Sequence, residues 1–177
     1  MKSLTKTELD SLITTAAQHS EQDALMLKII FNHGLRITEA LTLTKENVVD
    51  GFLVVQRGKG SRKTTQPIQP DEKAGLETLA QSDGRFFYAR YDNLASARTI
   101  FWRRLQRYGA EAGIPQFKRH AHILKHTTGR LAYEGGMGIP ELQIWLGHVC
   151  GSNTLVYLQP TEEKAANAFA AAVGGSR

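Results

Sequence analysis

Four separated segments carry side chains suited to phosphoryl transfer. Gly34-Leu35-Arg36-Ile37-Thr38-Glu39-Ala40-Leu41 sets an arginine at an expected helix N-terminus, where free backbone N–H groups also attract anions. Gly58-Lys59-Gly60 sets a lysine at a hairpin tip between glycines that permit close approach of a partner. His122-Ile123-Leu124-Lys125-His126 places His122 and Lys125 three apart, on one face of a helix start. Leu146-Gly147-His148 is followed nine residues later by Tyr157. An arginine, two lysines, two histidines and a tyrosine suffice for phosphoryl transfer without a metal. The positive donors offset the charge that develops on phosphorus, a tyrosine oxygen attacks, and histidine and lysine move protons.

Taken singly, each residue has a plainer reading. Arg36 suits an ion pair with Glu39 on a helix surface, Lys59 an ordinary solvated turn, and Tyr157 an amphipathic packing role. His122 and His126 stand at i, i+4, a spacing that metal-binding helices also use. No glutamate follows His122 as in the zinc-protease pattern and no third ligand is evident, so neither a metal nor a cofactor is expected. Trp145 lies at helical spacing from Leu142 and reads as core. Cys150, between His148 and Tyr157, lacks the base and the orienting partner that a thiol nucleophile needs.

These boxes must be held by helices and one small sheet. Thr5-Lys6-Thr7-Glu8 has the form of a capping box, followed by Leu9, Leu12, Ile13 and Ala16 at amphipathic spacing. A second, strongly apolar helix runs from about Gln22 and ends at Gly34, and a third begins near Thr38. The period then changes. Val48-Val49, Asp50-Gly51 and Phe52 to Gln56 read as strand, tight turn and strand. Arg57 to Ser61 forms a second turn, and Lys63 to Ile68 a third strand that Pro67 restricts to an edge or an end. Helix resumes at Asp71, Phe86-Phe87-Tyr88 is a short apolar patch, and further helices are expected over 93–112, from near Ile123 to Gly135, and over 140–146. The Ala-rich stretch 163–173 reads as a C-terminal helix. The fold class is mainly α with a small antiparallel β-sheet, an α+β domain.

Composition narrows the setting. At roughly 150 residues per domain, 177 residues predict one domain. The 41% hydrophobic content is enough for a packed core and argues against a disordered chain. One cysteine excludes a disulfide framework and suits a reducing compartment. No apolar run approaches the roughly 20 residues of a membrane span and the N-terminus lacks a signal h-region, so a soluble, cytoplasmic protein is expected. The net charge is +5, and the bases cluster. Residues 57–63 hold four, and Arg98, Arg103, Arg104, Arg107, Lys118, Arg119 and Lys125 face only Glu111. Such stretches suit a polyanion such as nucleic acid, although they also serve solubility.

In order and spacing these boxes resemble the catalytic domain of the tyrosine recombinases, the phage integrase family. The resemblance spans nearly the whole chain, from Leu4-Thr5 through Tyr157. It implies the tyrosine recombinase catalytic-domain fold for residues 1–177, with nothing corresponding to the N-terminal DNA-clasping domain of many members. By the same resemblance Arg36 binds a nonbridging oxygen of the scissile phosphate, and Lys59 protonates the departing 5′ oxygen. His122 and His148 contact the phosphate, His122 also shuttling a proton, and Tyr157 forms a 3′-phosphotyrosyl bond; Glu39 supports the arginine box. Lys125 departs from the pattern, because the family has a second arginine there and lysine lacks the planar fork. The expected partner is double-stranded DNA, bound by four protomers on two duplexes, with no membrane and no ATP or metal. The expected role is site-specific integration or excision of a mobile element. The alternatives are a type IB topoisomerase-like relaxing enzyme and a DNA-binding member impaired by the lysine at 125.

Overall fold

A computed structural model describes residues 3–58, 61–81, 83–91 and 93–149. Lys59, Cys150, Tyr157 and the helix expected over 163–173 lie outside the described residues. Helix α1 (Lys6–His19) opens with the expected capping box. Glu8 N donates to Thr5 Oγ1 at 3.1 Å, and Thr5 N donates to Glu8 Oε2 at 2.7 Å. Its buried side chains Leu9, Leu12 and Ala16 lie along α2 (Glu21–His33). Helix α2 is the central element, touching α1, α3, α4 and α6, with Met26, Leu27, Ile29 and Ile30 all inaccessible to solvent. Gly34, at φ 57°, ends it and turns the chain into α3 (Ile37–Leu41).

The sheet has the order β1-β2-β3 and is antiparallel throughout, formed by β1 (Val48–Val49), β2 (Phe52–Val55) and β3 (Thr64–Pro67). The Asp50-Gly51 turn has both residues at positive φ, as a primed hairpin turn requires. Pro67 sits at the end of its strand. In β2 the side chains of Leu53 and Val55 point to the core, and in β3 those of Thr64 and Gln66 do. Helices α4 (Pro70–Leu79), α5 (Leu94–Glu111), α6 (Ala121–Glu134) and α7 (Ile139–Trp145) complete the mainly helical α+β fold. Phe86, Phe87 and Tyr88 are buried between these elements. Among the described residues no helix is long and apolar enough to cross a membrane.

The basic stretches are less uniform than their sequence suggests. Arg104 donates to Asp23 Oδ2 at 2.7 Å, Arg107 pairs with Glu111, and Lys118 pairs with Glu8. Arg119 Nε donates to Ile114 O at 2.6 Å. Arg104 and Lys118 fasten α5 and the turn that follows it to α2 and α1, whereas the Arg107–Glu111 pair lies within α5 and the Arg119–Ile114 bond within that turn. Arg98 and Arg103 remain exposed on α5, beside Trp102 at 54% exposure.

At Gly34 a Cβ would stand 2.5 Å from Leu146 Cδ2, in a left-handed backbone conformation. At Gly51, also left-handed, a Cβ would meet nothing within 4 Å. Urea denaturation should therefore show Gly34→Ala losing about 1–3 kcal/mol more than Gly51→Ala, the difference isolating the close approach of α2 to Leu146 from the backbone strain common to both.

Candidate active site

Glu39 is the site's buried carboxylate, 5% exposed on the short helix α3. Its Oε2 accepts from Arg36 N at 2.7 Å and from Arg57 Nη1 at 3.2 Å. Its Oε1 accepts from Arg36 Nη1 at 2.8 Å and from Gly58 N at 3.1 Å. Burial alone would raise its pKa. The backbone donors of Arg36 and Gly58, with the charge of Arg57, outweigh that and hold the carboxyl below its usual range. The Arg36–Glu39 pair expected on a helix surface is thus part of an interior cluster, and Arg36 itself is only partly exposed.

Arg57 was expected among the cations of the hairpin tip. Its side chain is instead fully buried. Nε donates to Thr64 Oγ1 at 2.8 Å, Nη1 to Gly34 O at 3.2 Å, and Nη2 to His33 O at 2.8 Å and Gln66 Oε1 at 3.2 Å. Nη2 also lies 3.4 Å from Trp145 O. The planar fork therefore joins the end of α2, the start of α3, strand β3 and the end of α7. Gln66 reinforces it by donating to Trp145 O at 2.9 Å, while His33 stands between Gln66 and the buried Glu72 at 3.2 and 2.5 Å. Trp145, read as core, is half-buried and stacks on His33.

Lys125, on α6, is 6% exposed and donates from Nζ to Leu146 O at 3.1 Å. Burial first, and then the charge of Arg57, pushes its ammonium down to about 7, with Arg36 adding to the shift and Glu39 opposing it. His148 follows α7 and is brought to the hairpin by a bridge to Ser61; nearby, Arg62 N donates to Gly147 O at 2.9 Å. Ser61 Oγ in turn accepts from Arg36 Nη1 at 3.1 Å. Burial, followed by the charges of Lys125, Arg36 and Arg57, lowers the His148 ring to about 4.

The structure thus gathers Arg36, Lys125 and His148 from three distant parts of the chain around Glu39 and Arg57. His122 is exposed at the start of α6, in a surface groove of about 440 Å³ shared with Ile37, Arg98 and Trp102. It stands at the rim rather than inside the hydrogen-bonded group. Its ring lies 6.3 Å from that of His126, and among the described residues no group of three His, Cys, Asp or Glu side chains is placed to hold a metal ion. Lys59 and Tyr157 lie outside the described residues. Chemically the cluster sets two guanidinium groups, the Lys125 amine and the His148 ring around a carboxylate whose two oxygens already accept from four donors.

Arg57 is the member that the boxes did not predict. The signal was the strand period, since Leu53 and Val55 point inward and the next alternate position is 57.

Comparison with known proteins bears on the family and the fold. The model of the phage integrase family matches residues 2–164. The tyrosine recombinase XerA of Pyrococcus furiosus is 33% identical over 169 residues, covering 90% of this chain and 58% of the relative's length. The chain therefore spans little more than half of that protein. Among solved structures, the Tn1549 transposon integrase in complex with transposon right end DNA superposes with a TM-score of 0.80 at 16% identity, covering 98% of this chain and 66% of that one. The catalytic domain of bacteriophage HP1 integrase superposes with a TM-score of 0.71 at 23% identity, covering 96% and 95% of the two chains.

The electrostatics of His148 predict an acid-side instability. Between the ordinary histidine value of about 6.5 and the folded value of about 4, the unfolded chain binds a proton at position 148 that the folded chain does not. Stability therefore falls as pH drops through that window. His148→Asn should show a shallower fall in unfolding free energy between pH 6.5 and 4, and an unchanged slope would contradict the burial of a neutral ring.

Proposed function

The chain belongs to the phage integrase family, and we propose that it cuts and rejoins double-stranded DNA as a site-specific recombinase, through a 3′-phosphotyrosyl intermediate. The observation that supports this reading is the convergence of Arg36, Arg57, Lys125 and His148 around Glu39, which among the described residues is the carboxylate of this cluster and already accepts from four donors. In this reading a phosphodiester supplies the further negative charge that the cluster receives.

In the proposed reaction the Tyr157 oxygen attacks phosphorus while the bond to the 5′ oxygen breaks. Arg36 and Lys125 stabilise the nonbridging oxygens, His148 donates to one of them, and His122 contacts the phosphate from the rim of the site and shuttles a proton. Lys59 protonates the departing 5′ oxygen. The phosphotyrosyl bond conserves the energy of the phosphodiester, so rejoining needs no ATP, and the cationic side chains take the place of a metal. Residues 1–177 act as one catalytic domain in the cytoplasm, without a membrane partner. Recombination engages two duplexes and four protomers, with the helix expected over 163–173 packing either on its own domain or on a neighbour.

A duplex nicked just beyond the cleavage point loses its short end after cleavage and so traps the covalent complex. The parent protein should form that complex with EDTA present, whereas Tyr157→Phe should form none yet bind DNA within a few-fold of the parent. DNA affinity should fall steeply with salt, because phosphate neutralisation releases counterions. A covalent adduct on the phenylalanine variant, or a strict need for a divalent metal, would overturn the mechanism. On a supercoiled plasmid lacking recombination sites, relaxation to completion would favour a topoisomerase instead.

Lys125 has its own test. Removing one donor from a preorganised site costs about 10²–10³ in rate, so Lys125→Ala should slow single-turnover cleavage by that factor. Lys125→Arg should equal or exceed the parent, since a guanidinium grips two acceptors at once. An alanine variant as fast as the parent would remove Lys125 from the site.

A further inference from the structure

Lys125 is surrounded by charge that does not balance. Arg57 Nη2 lies 3.4 Å from Trp145 O and Lys125 Nζ 3.1 Å from the next carbonyl, Leu146 O, so the two cations sit on consecutive carbonyls at the end of α7; the charges of Arg36, Glu39 and His148 act on the same group. His126 lies on its own helix, and α2, packed along α6, contributes His33, whose ring is engaged by Gln66 and Glu72. The carboxylate in this group, Glu39, already accepts from Arg36 N, Arg36 Nη1, Arg57 Nη1 and Gly58 N. Among the described residues no carboxylate pairs with Lys125, and its one hydrogen bond is to the neutral carbonyl of Leu146. That bond can be made by an amine or by an ammonium. A buried ammonium with no counter-ion and a guanidinium beside it is costly, and the charged form becomes favoured only when an anion enters.

We propose that Arg57 is a positioning residue that acts through Lys125: it occupies the carboxylate and presses a second positive charge on the amine, so that Lys125 takes up its proton as a phosphate anion enters. The proposal rests on the pocket being a phosphodiester site. It assigns Arg57 a task beyond joining elements of the fold, and it makes the lysine at 125 a group that responds to the substrate rather than a fixed cation. The proton comes from solvent and is released again when the phosphate leaves. Removing Arg57's charge should make the amine easier to protonate in the empty site.

The test follows the Lys125 side chain by NMR, through the 13Cε and 15Nζ shifts of the full chain, with the signal assigned by its loss in Lys125→Arg. Sulfate serves as the probe, because it stays fully ionised across the range and mimics a phosphate oxygen face. In the parent the signal should titrate near neutrality, and saturating sulfate should raise the midpoint by about one unit, a tenfold gain in proton affinity. Arg57→Gln, in a folded protein, should raise the midpoint by a similar amount without sulfate, and Arg57→Lys should return it toward the parent value. A purely structural Arg57 would lower stability and leave the midpoint in place, and that result overturns the proposal. Whether or not Arg57→Gln folds, a parent midpoint indifferent to sulfate refutes proton uptake. Covalent trapping on nicked DNA without a sulfate-dependent midpoint refutes this inference and leaves the recombinase reading standing. A sulfate-dependent midpoint without trapping does the reverse.

Discussion

The Glu39 carboxylate is the point on which the site turns. Its two oxygens bind the backbone and side chain of Arg36, the guanidinium of Arg57 and the N–H of Gly58. A five-residue helix such as α3 has little stability of its own. It is held in place because Glu39 returns to its N-terminus at Arg36 and reaches the segment after β2 through Arg57. Arg57 then extends the attachment to the end of α2 through His33 O and Gly34 O, to β3 through Thr64 and Gln66, and to the end of α7 through Trp145 O. Removing one partner from a buried pair of this kind leaves an uncompensated charge in the interior, which is why such clusters hold or fail as a unit.

A second buried carboxylate organises the opposite end of α2. Asp23 accepts from Tyr88 Oη at 2.7 Å, Tyr108 Oη at 2.6 Å and Arg104 Nη1 at 2.7 Å. Tyr88 sits at φ 54°, an unfavourable value for an aromatic residue, and its bond to Asp23 helps hold it there. Burial and the Asp23 charge push the Tyr108 hydroxyl up to about 12 and the Tyr88 hydroxyl higher still, so both remain donors. Helix α5 is thereby clamped on its inner face, while Arg98, Trp102 and Arg103 stay on its outer face. The two carboxylates divide the labour: Asp23 secures the scaffold, and Glu39 holds the cluster of Arg36, Arg57, Lys125 and His148.

Apolar periodicity and turn chemistry made the elements legible in the sequence, because both are local. The Thr5 capping box, the Gly34 stop, the Asp50-Gly51 hairpin and the boundaries of α5 and α7 all fall within two residues of expectation. The boxes were legible for a different reason, their spacing along the chain, and the structure brings Arg36, Lys125 and His148 together accordingly. What local patterns could not show was which charges are interior. Arg57 has acceptors at positions 64 and 66 within a short window, but also at 33, 34, 39 and 145, and Asp23 has its donors at 88, 104 and 108, separations that a short window of sequence does not span. A run such as Arg57-Gly58-Lys59-Gly60-Ser61-Arg62-Lys63 therefore reads as uniformly solvated although its first member is buried. Alternation along β2 carried the missing information, since a strand that buries 53 and 55 sends 57 the same way.

The placement of the two tryptophans gives the molecule two optical windows of different character. Trp145 stacks on the His33 ring at 6.4 Å with an interplanar angle of 9°, and its indole N–H donates to Asn32 O at 3.0 Å, so it is fixed against the interior network. Trp102 stands in water on α5, within the groove that His122 also lines. Trp145, half-buried and hydrogen-bonded, should emit to the blue of Trp102, which is open to whatever covers that face. Coverage of the surface and reorganisation of the interior are therefore separable by wavelength in the unlabelled protein.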